Sequence, residues 1–193
     1  MKYYVLFGPP GAGKGTHAVA IAAKYNFKHI STGELLRAEI AAGTDLGNTA
    51  KSLIAAGSLV PDEVVEGMID SAFDRFKEFD GFLLDGFPRT LAQAQALDAM
   101  LEKRGERLTG VVSIMIPDEM VKTRIKHRAA IEGRADDASD ETINNRIATY
   151  HSQTEPLIEY YKAAGKYHEV CGDSDILEEN RARVLALMET IEK

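Results

Sequence analysis

A chain of 193 residues has room for one well-buried core with a few excursions, and not for two full domains. Its 45% hydrophobic and 27% charged content is ordinary for a globular protein. A formal net charge of −7 argues against bulk nucleic-acid or membrane-surface binding, so any anion must be met by a local cluster of cations. Cys171 is the only cysteine, which excludes an internal disulfide and fits a reducing compartment. The apolar run at the start is too short for a signal core and ends at Pro9 and Pro10. No later run approaches the roughly 20 residues of a membrane-crossing helix. The expectation is a cytoplasmic protein.

In chain order the first element is a strand, YYVLF (3–7). It runs into GPPGAGKGT (8–16) and then into a helical pattern over 14–25. Strand, glycine-rich loop and helix is the context in which backbone amides and a helix N-terminus cradle phosphates, with Lys14 reaching the terminal ones. The loop departs from the pattern G-x-x-x-x-G-K-[ST]. Gly15 follows Lys14, and the hydroxyl, Thr16, comes one place late, which makes direct metal ligation by Thr16 less certain.

FKHI (27–30) reads as a weaker strand. Helical patterns over 32–42, 46–56 and 62–79 follow, punctuated by Gly43, Gly47, Gly57 and Pro61, and no convincing strand lies between Ile30 and Phe82. FLLD (82–85) is the next strand. Asp85 at its carboxyl end stands where an acid organises magnesium and its waters; the alternative is a turn or cap aspartate. A helix over 91–104, the strand VVSIMI (111–116) and a helix over 118–129 come next. A polar break (129–139), a helix over 140–163, the strand YHEVC (167–171) and a helix over 176–192 complete the chain. This alternation predicts an α/β fold, a parallel five-stranded sheet with helices on both faces and ligands beyond the carboxyl ends of the strands.

STGE (31–34) and TLAQ (90–93) both match the capping box, which accounts for Ser31, Glu34, Thr90 and Gln93 without any ligand. Arg37, Arg89, Arg124, Arg128, Arg134 and Arg146 fall near predicted strand ends and breaks, and Arg124 and Arg128 share a helix face. Any single one reads first as a surface ion pair. Six together in an acidic chain point to a site for several phosphates. The histidines at 17, 29, 127, 151 and 168 show no metal-ligand spacing and read as surface or core residues. Asp136 and Asp137 either restrain the polar break or face solvent.

The blocks GPPGAGKGT (8–16), HISTGELLR (29–37), GSLVPDEVV (57–65), FLLDGFPRTLAQAQAL (82–97) and GRADD (133–137), in this order and spacing, resemble the adenylate kinases. The likeness is to the short-lid type of the nucleoside monophosphate kinase family and covers essentially the whole chain. That family's loop has G-K-G-T, so Gly15 is its usual form. The resemblance implies a P-loop NTPase-like sheet in one domain, with an AMP-binding arm at about 31–60 and a lid at about 127–137 as mobile insertions. It implies the reaction Mg·ATP + AMP ⇌ 2 ADP. Gly11, Ala12, Gly13, Lys14, Gly15 and Thr16 would hold the phosphates of ATP, with Asp85 acting on magnesium through water. Thr32, Arg37, the backbone of Ser58, Leu59 and Val60, and Gly86, Phe87, Pro88, Arg89 and Gln93 would form the AMP site. There Gln93 would read the adenine edge, and Arg37 and Arg89 would hold the phosphate. Arg124 would stack on the ATP adenine beside the backbone near Ser174, Arg128 would contact ATP from the lid, and Arg134 and Arg146 would bridge the transferring phosphoryl group.

The resemblance further implies Mg2+ with ATP as cofactor, ATP, AMP and ADP as ligands, no nucleic-acid or membrane partner, and a monomer. The lid is short and cysteine-free, so no structural zinc is expected; it also lacks the glycine that often follows the first lid arginine, which leaves the hinge position open. Two rivals remain at this point. A pyrimidine monophosphate kinase on the same fold is disfavoured by Thr32 together with Gln93. A non-catalytic nucleotide-binding module would be expected to have lost Lys14, Asp85 or several arginines, and none is missing.

Overall fold

The computed structural model describes residues 1–134, 137 and 139–192. Five strands, β1 (Lys2–Phe7), β2 (Phe27–Ser31), β3 (Gly81–Asp85), β4 (Gly110–Met115) and β5 (Tyr167–Cys171), form one parallel sheet in the order β2-β3-β1-β4-β5. Along β1 the side chains alternate: Tyr3, Val5 and Phe7 enter one core, Tyr4 and Leu6 the other. In β3, Phe82 and Leu84 oppose Leu83 in the same way. Burial on both faces is why these strands appear in the sequence as unbroken apolar runs.

Nine α-helices lie among the described residues: α1 (Lys14–Tyr25), α2 (Thr32–Ala42), α3 (Asp45–Ala55), α4 (Asp62–Arg75), α5 (Leu91–Lys103), α6 (Asp118–Glu132), α7 (Asp140–Thr149), α8 (Leu157–Ala163) and α9 (Leu177–Ile191). On one face of the sheet Ile69 of α4, Leu97 and Leu101 of α5 and Tyr161 of α8 close the core. On the other, Ile21 of α1, Ile125 of α6 and Met188 of α9 do so. Each such side chain contributes about 1.5–3 kcal/mol by leaving water. The segment 31–60 is built mainly of α2 and α3, packed on each other.

The chain order fixes where a ligand can sit. From β1 the chain crosses β3 to reach β2, whereas from β3 it crosses β1 to reach β4. The loops leaving these two adjacent strands therefore run to opposite sides and open a crevice at their carboxyl ends.

Three elements differ from the sequence expectation. The helix over 140–163 is divided into α7, a π-helical turn (Tyr150–Thr154) and α8. Pro156 has no N–H and collides with the carbonyl four residues earlier, so a regular helix cannot pass through it. Instead the Glu155 N–H reaches five residues back to Tyr150 O at 2.8 Å. The helix over 62–79 ends at Arg75, where Phe76 leaves helical geometry (φ −114°, ψ 53°). Its ring packs edge-on against Phe79 and takes the Lys28 ammonium 3.9 Å from its centre. In the other direction α6 runs through Glu132 into the expected polar break, since Ala129 and Ala130 are strong helix formers and Gly133 (φ 60°) supplies the left-handed stop. Asp136 lies outside the described residues, and so does part of the expected lid. Among the described residues no helix is long and apolar enough to cross a membrane.

Candidate active site

The loop after β1 is shaped by glycine where nothing else fits. Gly8 has φ 127°, and a Cβ there would come 2.3 Å from the backbone oxygen of Ile114 in β4. Two further left-handed residues, Gly11 and Gly13, lead the chain into α1 at Lys14. The amides of that first turn have no intrahelical carbonyl to bind, and residues 13–16 line the crevice. Lys14 Nζ donates to Gly8 O at 2.8 Å and Pro9 O at 2.9 Å, so the loop holds its own lysine. Lys14 as a residue is partly exposed, but its ammonium is buried. Burial pushes its pKa down to about 8 against the pull of Asp85, with Arg89, Arg146 and Arg128 adding to the depression.

Asp85 ends β3 beside this lysine. Burial alone would raise its pKa, but His29, Lys14 and Arg89 outweigh it and hold the carboxyl below the usual carboxylate range. His29 approaches through β2, with Nε2 at 3.7 Å from Asp85 Oδ2, longer than a hydrogen bond but close enough for its ring to act electrostatically on the carboxylate. Gly15 sits against the same carboxylate, since a Cβ on it would lie 3.6 Å from Asp85 Oδ2. That is ordinary contact, so space alone does not exclude a side chain at 15.

Across the crevice, Ser31 caps α2 by accepting from Glu34 N, and Thr32 is buried at the first turn. Thr32 Oγ1 donates to Gly86 O at 3.0 Å. Gly86 must be glycine: at φ 83°, a Cβ would come 2.6 Å from Thr32 Oγ1 and 2.8 Å from Arg89 Nη2. Arg89 Nε folds back onto Gly86 O at 2.7 Å, following the cis peptide bond Phe87–Pro88. Thr154, delivered by the π-helical turn, donates to Arg89 O at 2.9 Å. Arg37 lies over Gly33, where a Cβ would meet Nη1 at 3.2 Å.

The TLAQ capping box is only half formed. Thr90 accepts from Gln93 N at 3.2 Å, but Gln93 Oε1 reaches past the cap to accept from Arg89 N at 2.7 Å. Gln93 Nε2 donates to Asp62 Oδ1 at 2.7 Å, and Thr90 Oγ1 donates to Asp62 Oδ2 at 3.1 Å.

The remaining arginines arrive on α6 and α7. Asp137, 3% exposed, takes Arg128 in a two-pronged pair (Nε to Oδ2 2.7 Å, Nη2 to Oδ1 2.8 Å) and also binds Arg146 Nη1. Of the two readings for Asp137, restraint is the one the structure supports. Arg124 Nη2 donates to Ser174 O at 3.0 Å, an oxygen that also accepts from Asn180 Nδ2 at 2.7 Å. Arg134 pairs with Glu132.

These groups surround one cleft of ≈ 660 Å³. Of the residues to which the resemblance gives a site role, all but Ala12, Phe87 and Ser174 line it. Ala12 and Phe87 are buried beneath, and Ser174 stands behind Arg124. Sequence reasoning missed His29, Asp62, Thr154 and Arg181, of which Thr154 and Arg181 line the cleft, the latter from α9. Asp62 carries a weak signal, an acid in a helix's first turn, which reads as helix stabilisation and not as a site. The others have none. Among the described residues no group of three or more His, Cys, Asp or Glu side chains is disposed to hold a metal.

A family model described as adenylate kinase matches residues 6–166. A curated adenylate kinase of Phocaeicola vulgatus is 49% identical over 172 residues, covering 89% of this chain and 90% of the relative. One from Stenotrophomonas maltophilia is 46% identical over 182 residues (94% and 96%). One from a Synechococcus species is 45% identical over 189 residues (98% and 97%).

Proposed function

The chain belongs to the adenylate kinase family, and we propose that Lys14, Asp85, Arg89, Arg128, Arg134 and Arg146 carry out its reaction in the cleft at the carboxyl ends of β1 and β3. The protein is a phosphotransferase that moves a phosphoryl group from ATP to AMP, gives two ADP and so serves adenine nucleotide balance. The observation that carries the assignment of residues is the convergence of Lys14, Arg89, Arg128, Arg134 and Arg146 on one cleft in a chain of net charge −7.

ATP enters on the side of residues 11–16, its phosphates meeting the first-turn amides of α1 and Lys14. Arg124 and the backbone near Ser174 flank its adenine, and Arg128 reaches it from α6. AMP lies between Thr32, Arg37, residues 58–60 and the 86–89 turn, with Gln93 at its base. Arg134 and Arg146 stand over the group in transit. The attacking atom is a phosphate oxygen whose second pKa is about 6, as for phosphate monoesters, so it is anionic at pH 7 and needs no general base. The barrier is mutual repulsion of two anions, and guanidinium and ammonium groups already in place lower it without reorganisation. Arg128 grips the Asp137 carboxylate with the two-pronged fork that a phosphoryl group also accepts, and Arg146 binds the same carboxylate through Nη1.

The donor chemistry beside Lys14 fits magnesium carried in with ATP. One ionised carboxylate, Asp85, and the Thr16 hydroxyl suit an ion that keeps most of its waters and takes phosphate oxygens as its other ligands. Bound there, magnesium would supply charge neutralisation to the leaving phosphates, and Asp85 would hold it through water. The segments at about 31–60 and 127–137 close over the substrates and exclude water, the competing nucleophile. The family likeness supports a monomer, and a single unpaired cysteine fits a reducing compartment such as the cytoplasm.

Initial rates of ADP formation from Mg·ATP, with AMP, UMP, CMP and GMP offered in parallel, test the assignment. AMP is preferred strongly, and removing magnesium abolishes the rate. Faster turnover of UMP or CMP would overturn the roles given to Thr32 and Gln93.

A further inference from the structure

We propose that Asp62 fixes which way round the Gln93 amide faces and thereby makes the acceptor site select an adenine over a 6-oxopurine monophosphate. The inference rests on the reading that Gln93 meets the AMP base, and goes beyond it by asking what tells Gln93 which hydrogen-bond pattern to present.

A glutamine amide is nearly symmetric in shape but opposite in chemistry at its two ends, an acceptor at Oε1 and a donor at Nε2. Left alone it can turn over and read either of two complementary edges. Here both of its neighbours are one-way groups. The Arg89 backbone N–H can only donate and lies 2.7 Å from Oε1. The Asp62 carboxylate can only accept and lies 2.7 Å from Nε2. Turning the amide over would set an N–H against an N–H and an oxygen against a carboxylate in a residue only 2% exposed. The carboxylate is itself oriented. It stands in the first turn of α4, where a helix N-terminus favours negative charge, and its second oxygen accepts from Thr90 Oγ1 at 3.1 Å.

The two contacts use one of the two Nε2 hydrogens and one of the two Oε1 lone pairs. One hydrogen and one lone pair remain for the base. Adenine offers a donor at N6 and an acceptor at N1, which match them. Hypoxanthine and guanine offer an acceptor at O6 and a donor at N1–H, which oppose them. Accepting a 6-oxopurine therefore requires the flip that Asp62 and Arg89 each oppose. Arg89 contributes through its backbone and cannot be edited by substitution. Asp62 can: asparagine has the same size, and its amide can offer a donor to a flipped Gln93.

The test uses the full chain and compares AMP with IMP, which differ only at that edge, as acceptors from Mg·ATP. Wild type, Asp62→Asn and Gln93→Ala are assayed with their melting temperatures. Asp62→Asn is expected to shrink the AMP-to-IMP ratio of kcat/KM by about 10-fold or more, the scale of one buried polar group left mispaired. The change falls on the KM for the monophosphate, with the KM for ATP and the melting temperature unchanged. Should Asp62→Asn fail to fold, Asp62→Ser reads the same ratio. If Gln93→Ala collapses the ratio and Asp62→Asn preserves it, Asp62 merely ties α4 to α5 and the proposal is wrong. If the ratio survives in both variants, the reading of Gln93 as the base contact falls, and the proposal with it.

Discussion

Lys14 is a lysine kept in poor electrostatic company. With its ammonium buried and three arginines adding to the repulsion, its pKa falls from the usual 10.5 to about 8. Between those values the unfolded chain holds the proton that the folded chain has released. Stability of the ligand-free protein therefore rises as pH climbs from about 8 toward 10.5, and below 8 the cost of the buried charge is fully present. A phosphate beside Nζ reverses the preference. Nucleotide binding at pH 9 should take up close to one proton in the wild type and far less in Lys14→Met. Calorimetry in two buffers of different ionisation heat reads this directly, and the acceptor phosphate, with its second pKa about 6, is already ionised there and does not interfere. Equal uptake in both proteins would place the titrating group elsewhere. Gln93→Ala should raise the KM for AMP more than that for ATP; equal rises would mean that Gln93 serves the start of α5 and not the base.

At the scale of elements, α6 and α7 are joined through one carboxylate. Asp137 binds Arg128 on the first and Arg146 on the second, and its side chain is fully buried. Asp137→Ala leaves two guanidiniums facing each other. Because both arginines keep some contact with water, the expected loss in urea denaturation is about 2 kcal/mol, below the 3–5 typical of a fully buried pair. Saturating ADP should offset part of it, since phosphates can occupy the vacated place. An undiminished loss with ADP present would separate Asp137 from the phosphate-binding groups. The α7–α8 break has a similar logic. The sequence shows Pro156 but not its consequence, the turn that carries Thr154 onto Arg89 O.

For the whole molecule, what the sequence reveals and what it conceals divide by distance along the chain. β1, β3 and β4 are buried on both faces, so each is a plain apolar run bounded by glycine or polar residues. The loop 8–16 is legible because its chemistry is local: Gly8, Gly11 and Gly13 occupy backbone angles that other residues avoid, within a few positions of Lys14. The partners that arrive from afar are not. Asp62 and Gln93 are 31 residues apart, Arg89 and Thr154 are 65 apart, and nothing in either local pattern marks the meeting. The helix end at Arg75 is hidden for the same reason, since the ring of Phe76 packs on the distant Lys28, whereas at Glu132 local helix propensity outweighs a polar charge pattern. Packing of the sheet brings Lys14 and the arginines around one cleft, and the charge of that cleft is opposite to the charge of the chain as a whole.

That cleft working by fixed positive charge is the central claim, and Lys14→Met tests it most directly. Steady-state ADP formation should fall by at least about 100-fold, the scale of removing one preorganised donor from a developing charge, while the melting temperature holds or rises because a buried ammonium has gone. A variant that folds and turns over at near the wild-type rate would contradict the account.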